Sequence, residues 1–253
     1  FKSIDRMKSL NYPQSGFSLN QKLKVSPFGE INIVRHRQIN GRIKTLTLKR
    51  EPSGKWFATF CAQEERQTPK QNTGGKVGLD LGLTNFAALS DGTIVKNPHH
   101  LKKWEKKLAA SQRYLSAKRK GSKNRLRAKL KVARLHEKMA NCRLDFLHKT
   151  ANRLLSTYSF IALEELHIQE MAEQKYGKWI NDAAWRTFTN ILAYKAEEAG
   201  CQVMFVDPEG TTQQCSACGR VVEKPIWQRQ HVCQNCGLVT DRDINASINI
   251  LNR

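Results

Sequence analysis

Four cysteines are spaced to hold a metal ion. "CSACG" supplies Cys215 and Cys218, and "CQNCG" supplies Cys233 and Cys236. The pattern is C-x2-C, fourteen residues, then C-x2-C. Four thiolates can surround Zn2+ tetrahedrally, and a closed set of four leaves no coordination position open, so such an ion would be structural. Gly219 and Gly237 follow the two pairs, where a tight turn needs backbone freedom. Disulfides or free thiols are the other reading of the spacing. His231 lies inside the insert and reads as a bystander. Cys61, Cys142 and Cys201 stand alone and read as small buried hydrophobes.

Three carboxylates sit where a carboxylate is out of place. Asp80 interrupts "VGLDLGLTNFAAL", Glu164 interrupts "FIALEEL", and Asp243 opens "DRDINASINIL". If the two apolar runs are neighbouring strands, Asp80 and Glu164 come side by side, and a helix packed on that sheet can add Asp243. Three converging carboxylates stay ionised only with cations between them. Hard oxygen ligands suit Mg2+ or Mn2+. Two such ions about 4 Å apart promote in-line phosphodiester displacement. Taken singly, Asp80 could be a turn or bulge residue, Glu164 a surface acid and Asp243 a helix cap. Asp241 and Glu165 each neighbour a chosen acid and compete with it.

The charge is lopsided. The 253 residues carry 43 Lys and Arg against 22 Asp and Glu, a net +21. A surplus of that size points to a polyanionic partner, with nucleic acid first. It is concentrated in Lys102, Lys103, Lys106, Lys107, Arg113, Lys118, Arg119, Lys120, Lys123, Arg125, Arg127, Lys129, Lys131, Arg134, Lys138 and Arg143, opposed between 102 and 143 by Glu105 and Glu137. A solvated helix face usually mixes both signs. A one-sign face repels itself unless phosphates neutralise it, releasing counterions. Such residues track a backbone; none of them implies base readout. Trp104, Trp179 and Trp185 could stack on bases, although tryptophans more often belong to a core.

The elements that must position these groups follow from periodicity. "FGEINIVRH", "RIKTLTLKRE" and "GKWFATFCAQ" alternate at period two, with turns at Gly29, Gly41 and Pro52–Gly54, and predict antiparallel strands in a small barrel or sheet. "TPKQNTGGK" (Thr68–Lys76) reads as a linker. "KVGLDLGL", "NFAALSDG" and "TIVKN" read as strands, with Asp91-Gly92 as a hairpin signal. Residues from Leu101 to Gly121, and from Ser122 to Tyr158, read as basic helices, the second with Leu126, Leu130, Leu135 and Met139 near helical spacing. "FIALEEL" and "CQVMFVD" read as strands, and "AAWRTFTNILAYKAEEAG" as one helix ending at Gly200. No apolar run is long enough to span a bilayer, and "FKSIDRMKSL" has no apolar segment of the signal-peptide kind. The chain does not begin with Met, so it reads as the remainder of a longer protein.

The order of motifs resembles a known family. "GLDLGLTNFAALSDG", the basic helices, "IALEELHIQEM", "DAAW", "CSACG…CQNCG" and "DRDINASINIL" together resemble TnpB, the RNA-guided nuclease of bacterial insertion sequences, related to type V CRISPR effectors. The resemblance covers nearly the whole chain. It implies an α/β architecture: an RNase H-like (RuvC-like) nuclease domain over 72–210 and 241–253, a zinc ribbon over 211–240, and a partial β-rich wedge domain of oligonucleotide-binding type over 1–71. It places the acidic motifs on Asp80, Glu164 and Asp243, the zinc on the four cysteines, and guide RNA and target strand beside the basic helices. Family members carry a helical recognition lobe and the first half of the wedge upstream, so the chain resembles a fragment or a minimal member.

The resemblance implies an RNA-guided, Mg2+-dependent DNA endonuclease of a transposable element, with two Mg2+ or Mn2+ ions and one structural Zn2+. A guide RNA and double-stranded DNA would be its partners, a membrane would not, and a prokaryotic, nucleoid-associated cytoplasmic site follows. Two rivals share the fold: an RNA-guided DNA-binding protein without cleavage, and a DNA-only recombinase.

Overall fold

The computed structural model describes residues 8–65, 72–173, 176–225 and 227–253. Its contacts divide the chain into two compact units, Phe1–Thr68 with Lys107–Glu137, and Pro69–Lys106 with Lys138–Arg253. Two helices, α1 (His100–Ser116) and α2 (Lys123–Thr157), contribute to both units.

The first unit is β-rich. Strands β1 (Ser9–Pro13), β5 (Arg42–Arg50) and β6 (Trp56–Gln63) form an antiparallel sheet in the order β1-β5-β6. Strands β2 (Phe17–Leu19), β3 (Leu23–Val25) and β4 (Gly29–Ile31) form a second antiparallel sheet. Leu23 and Val25 from one sheet pack with Leu46 and Leu48 from the other. The period-two alternation of "RIKTLTL" supplies that inward face. Strand character in "FGEINIVRH" stops at Ile31, and Cys61 is exposed rather than a small buried hydrophobe. It lies on β6, where alternate residues point away from the apolar cluster.

The α1 and α2 segments of this unit are polar over most of their surface. Arg125 caps the end of α1, donating to the carbonyls of Leu115 (3.0 Å) and Lys118 (2.8 Å). Leu115 O also accepts from Lys118 N (3.2 Å), so a backbone bond and Arg125 together close the last turn. Ala128 and Leu135 are buried, whereas Leu126 is 59% exposed and lies off the helix's apolar stripe.

The second unit is built on a five-stranded sheet in the order β11-β10-β7-β8-β9. Its strands are β7 (Gly75–Leu81), β8 (Asn85–Leu89), β9 (Ile94–Lys96), β10 (Tyr158–Glu164) and β11 (Gln202–Val206). Strands β7, β10 and β11 are parallel; β8 and β9 return antiparallel through tight hairpins. Strand β7 begins at Gly75, so Gly75 and Lys76 belong to the sheet and not to a linker. Of the predicted linker Thr68–Lys76, residues 68–71 lie outside the described residues.

Alternation splits the residues of this sheet between two faces. Val77, Leu79, Ile161 and Leu163 join the main core with Leu147, Leu154, Phe188 and Leu192. Phe86 contacts both Phe146 and Phe188 edge to face, at 4.9 and 5.0 Å. The core helices come from α2 and α5 (Trp185–Ala199), preceded by the short helices α3 (Ile168–Glu173) and α4 (Gly177–Ala183). Sequence periodicity predicts one helix across Ala183–Gly200. The structure breaks it at Ala184, which adopts a left-handed conformation (φ 54°) and separates α4 from α5. Trp185 is buried in the core.

The other face carries Gly78, Asp80, Ala162 and Glu164. Helix α6 (Arg242–Asn252) packs there through Ile250, against Ala162 and Val206. Small residues at 78 and 162 let the helix approach closely. Among the described residues, no helix is long and apolar enough to cross a membrane.

Candidate active site and metal centre

Strand register brings the two strand acids together. Gly78 pairs with Ala162 and Leu79 with Leu163, so Asp80 and Glu164 follow as the next residues of parallel neighbours, on the α6 face. Asp243 sits in the first turn of α6, and its side chain is buried. The N-terminal end of a helix favours a carboxylate. All three acids therefore meet where β7 and β10 end and α6 begins.

The electrostatics record the convergence. Burial, then the charges of Glu164 and Asp243, hold the Asp80 carboxyl well above the usual carboxylate range. Arg242 offsets part of this. Burial also raises Glu164, while a hydrogen bond from the Thr211 hydroxyl to Glu164 Oε1 and the nearby Arg253 work against it. A protonated carboxyl needs no cation beside it, whereas an ionised cluster here does. The site therefore suits a divalent ion by donor type and by the repulsion it would relieve.

The neighbouring acids play other parts. Asp241 is the N-cap of α6, accepting from the backbone N–H groups of Asp243 (2.8 Å) and Ile244 (3.2 Å). Glu165 lies just beyond β10 and is exposed.

Two residues at the site carry no sequence signal of their own. Arg229 places Nη1 3.3 and 3.1 Å from the two oxygens of Asp243, and its Nη2 donates to Thr84 Oγ1 at 2.7 Å. It thereby ties the cysteine-rich insert to the β7–β8 turn. Arg242 Nε lies 3.4 Å from Asp243 Oδ1.

The four cysteines form two equal knuckles. In each, the glycine N–H bonds back to the first cysteine's carbonyl: Gly219 to Cys215 (2.8 Å) and Gly237 to Cys233 (2.9 Å), with φ of 72° and 75°. Cys215 and Cys236 sulfurs lie 3.6 Å apart, as do those of Cys218 and Cys233. A tetrahedron with Zn–S bonds of about 2.3 Å has edges of about 3.8 Å, so the set fits zinc. The Arg220 N–H, then the Asn235 amide, bring the Cys218 thiol down to about 6, whereas at Cys236 the Leu238 N–H is outweighed by desolvation and the neighbouring sulfurs, which push it up to about 12, so four thiolates together need a cation between them. Among the described residues, this is the group of three or more potential ligands whose atoms all lie within 4.8 Å; the three carboxylates are more widely spread.

The insert is fastened to α6 by buried asparagines. Asn245 Oδ1 accepts from Ser216 N (2.9 Å) and its Nδ2 donates to Gln214 O (2.7 Å). Asn249 Nδ2 donates to Thr211 O (2.8 Å) and Gln214 O (2.7 Å). His231 is buried on β12 (Gln230–Val232), which pairs with β13 (Val239–Asp241), and its Nδ1 meets Lys224 Nζ.

Of the basic series, Lys102, Lys103, Lys106, Lys107, Arg113, Arg119, Lys120, Lys123, Arg127, Lys131 and Arg134 are exposed; Lys118 and Arg125 are half-buried. Lys118 Nζ lies 4.1 Å from the centre of the Tyr114 ring, and Lys138 Nζ 4.7 Å from that of Trp104. Arg143 is a structural partner of buried Asp182, at 2.8 Å.

Comparison with known proteins identifies the family of the chain. Residues 59–175 match the family described as "Probable transposase" (OrfB_IS605), and residues 185–250 match "Cas12f1-like, TNB domain". InsQ of Escherichia coli K12, named an RNA-guided DNA endonuclease, is 33% identical over 271 residues, which cover 99% of this chain and 67% of InsQ. A Streptomyces pristinaespiralis protein of the same description is 37% identical over 210 residues, 82% of this chain and 52% of the relative. The chain thus spans half to two thirds of the length of these relatives. The structure of a Cas12f1–sgRNA–target DNA complex superposes with a TM-score of 0.52 at 15% identity, over 96% of this chain and 67% of that one, a likeness of fold. Being 33% identical to InsQ over 67% of that relative's length, the chain belongs to the TnpB family.

Proposed function

We propose that this chain carries the nuclease centre of an RNA-guided DNA endonuclease of a transposable element. The observation that carries the reading is the meeting of Asp80, Glu164 and Asp243 at one end of one sheet face, with Asp80 pushed up by burial and then by the other two. The strand order, three parallel strands followed by two antiparallel returns, supports an RNase H-like (RuvC-like) domain. That domain comprises 72–210 and 241–253; 211–240 is the zinc ribbon and 1–71 a partial wedge.

Asp80, Glu164 and Asp243 would hold Mg2+ or Mn2+. When bound, such ions activate a water and stabilise the leaving 3′-oxygen of a phosphodiester. The protein's part is to aim the ligands. Thr211 fixes one oxygen of Glu164, Oε1, by donating its hydroxyl to it. Arg229 holds Asp243 in place, and its guanidinium would offer a cation to a substrate phosphate bound at the acids. Cys215, Cys218, Cys233 and Cys236 would hold one Zn2+ that shapes the insert carrying Arg229.

Lys102, Lys103, Lys106, Lys107, Arg113, Lys118, Arg119, Lys120, Lys123, Arg127, Lys131 and Arg134 would follow nucleic-acid phosphates, with Arg125 shared between that role and its helix cap. Guide RNA supplies specificity by pairing with target DNA. The setting is a prokaryotic cytoplasm, at the nucleoid. The test is Asp80→Ala: it abolishes cutting and spares RNA binding. Retained cutting would remove Asp80 from the chemistry.

A further inference from the structure

Beside the carboxylates lies a cleft to which the reading above gives no role. Its volume is about 340 Å3, near the lower end of ligand sites, and too small for a duplex. Leu83, Thr84, Asn97, His99, Tyr176, Trp179 and Asp182 line it. Tyr176 and Trp179 stand three residues apart at the start of α4, spacing that puts both rings on one side. Tyr176 is 56% exposed. Asn97 and Asp182 in its polar wall are satisfied from within the protein, Asp182 by Leu101 N (2.9 Å) and by Arg143 Nη2 (2.8 Å). Asn97 Nδ2 donates to Leu83 O (2.8 Å), and Asn97 Oδ1 accepts from His99 N (3.1 Å). A ligand there meets aromatic rings and apolar surface, with few free hydrogen-bonding groups to read its edges.

Thr84 links the cleft to the acids. It lines the cleft, and its hydroxyl receives Arg229, which is paired with Asp243. A strand with a phosphate at Arg229 would thus carry a neighbouring base to Tyr176 and Trp179. Lys178 Nζ lies 5.0 Å from the centre of the Trp179 ring and is paired with Glu105, so the rim there is neutral.

We infer that this cleft holds one unstacked nucleobase of the DNA strand being cut, by stacking on Tyr176 and Trp179. The inference rests on the nuclease reading of the adjacent carboxylates. A stacked duplex buries its base faces, so the cleft accepts single strand and is indifferent to base identity. It orients the strand next to the scissile bond.

The test uses the zinc-loaded chain and a single-stranded 12-mer of thymidine with 2-aminopurine at alternate positions, in Ca2+ to hold back cleavage. Quenching of 2-aminopurine reports stacking, and the salt dependence of affinity reports phosphate contacts. Wild-type protein should quench. Tyr176→Ala and Trp179→Ala should each lose most of the quench and bind about tenfold more weakly, with the salt slope unchanged, and Trp179→Phe should recover part of both. Tyr176→Ala, at an exposed position, guards against simple misfolding. Binding with the quench intact in both alanine variants overturns the cleft assignment and leaves the nuclease reading standing. Absence of any oligonucleotide binding by the wild type overturns both.

Discussion

A side-chain carbon built on Gly78 would lie 2.0 Å from the backbone oxygen of Ser247, so glycine at 78 sets how closely α6 sits on β7. Asp80 and Asp243 lie on those two elements, and their separation depends on this contact. Gly78→Ala is therefore expected to push α6 outward and pull Asp243 from Asp80. Overpacking of this kind costs about 1–3 kcal/mol, and a contact with backbone cannot relax by rotamer change, so the upper end applies. At about 2–4 °C per kcal/mol, thermal unfolding should fall by roughly 6–12 °C, with cutting lost before folding is. Cutting at wild-type rate by Gly78→Ala would show that the helix position is not critical.

Asp80 makes the metal-free site sensitive to pH. Its folded pKa lies above the ordinary value of about 4, so protonation favours the folded state. That contribution is complete below the unfolded value and is lost as pH rises through the folded one. Asp80→Asn removes the charge and should raise the metal-free melting temperature on the alkaline side of this transition. The gain should shrink towards zero as pH falls to about 4. Scanning calorimetry in chelator across that range would reveal it; a variant less stable at neutral pH would contradict the electrostatic account.

Arg229 is half-exposed, while its partner Asp243 is largely shielded. Its removal leaves Asp243 with Arg242 at 3.4 Å. Arg229→Ala should lower metal-free stability by about 1 kcal/mol, as for a pair partly screened by water. Saturating Mg2+ should reduce the difference, because a bound cation takes over the neutralising role. An equal loss with and without Mg2+ would place Arg229 in the packing of the insert alone.

The insert should contain one Zn2+ per chain. Chelation should expose four thiols to a thiol reagent and lower the melting temperature. Because the ligands bind as thiolates, zinc should be lost more readily as pH falls. Cys233→Ser should reproduce the effect of chelation, and Asn245→Ala should weaken the seat of the insert by about 1–3 kcal/mol while keeping zinc, since it leaves the Ser216 N–H without its partner and Gln214 O with Asn249 alone. Zinc content by atomic absorption separates these two cases.

Much of this arrangement could be seen in the sequence because it is carried by local spacing. The cysteine pairs and the acids that break apolar runs are of that kind. Period-two alternation puts Gly78, Asp80, Ala162 and Glu164 on a different face from Val77, Leu79, Ile161 and Leu163, and this needs only the strand residues themselves. Arg229, Thr84 and Thr211 were not legible, because their partners are 14, 145 and 47 residues away and no pattern marks them. Asn245 and Asn249 look like polar surface until α6 is seen buried beneath the insert. The break at Ala184 was hidden as well, since alanine is an excellent helix former and no turn residue marks the left-handed conformation it adopts there. Leu126 follows the same lesson, an apolar residue at helical spacing that stays exposed.

The most direct test of the central claim is cleavage by the protein purified with its bound RNA. The chain would be expressed with its native flanking DNA, the RNA sequenced, and a matching duplex offered with Mg2+ or with chelator. The account predicts a discrete RNA species, cutting in Mg2+ only, and no cutting by Asp80→Asn, which still carries the RNA. Cutting by Asp80→Asn at the wild-type rate, or undiminished cutting in chelator, would contradict it.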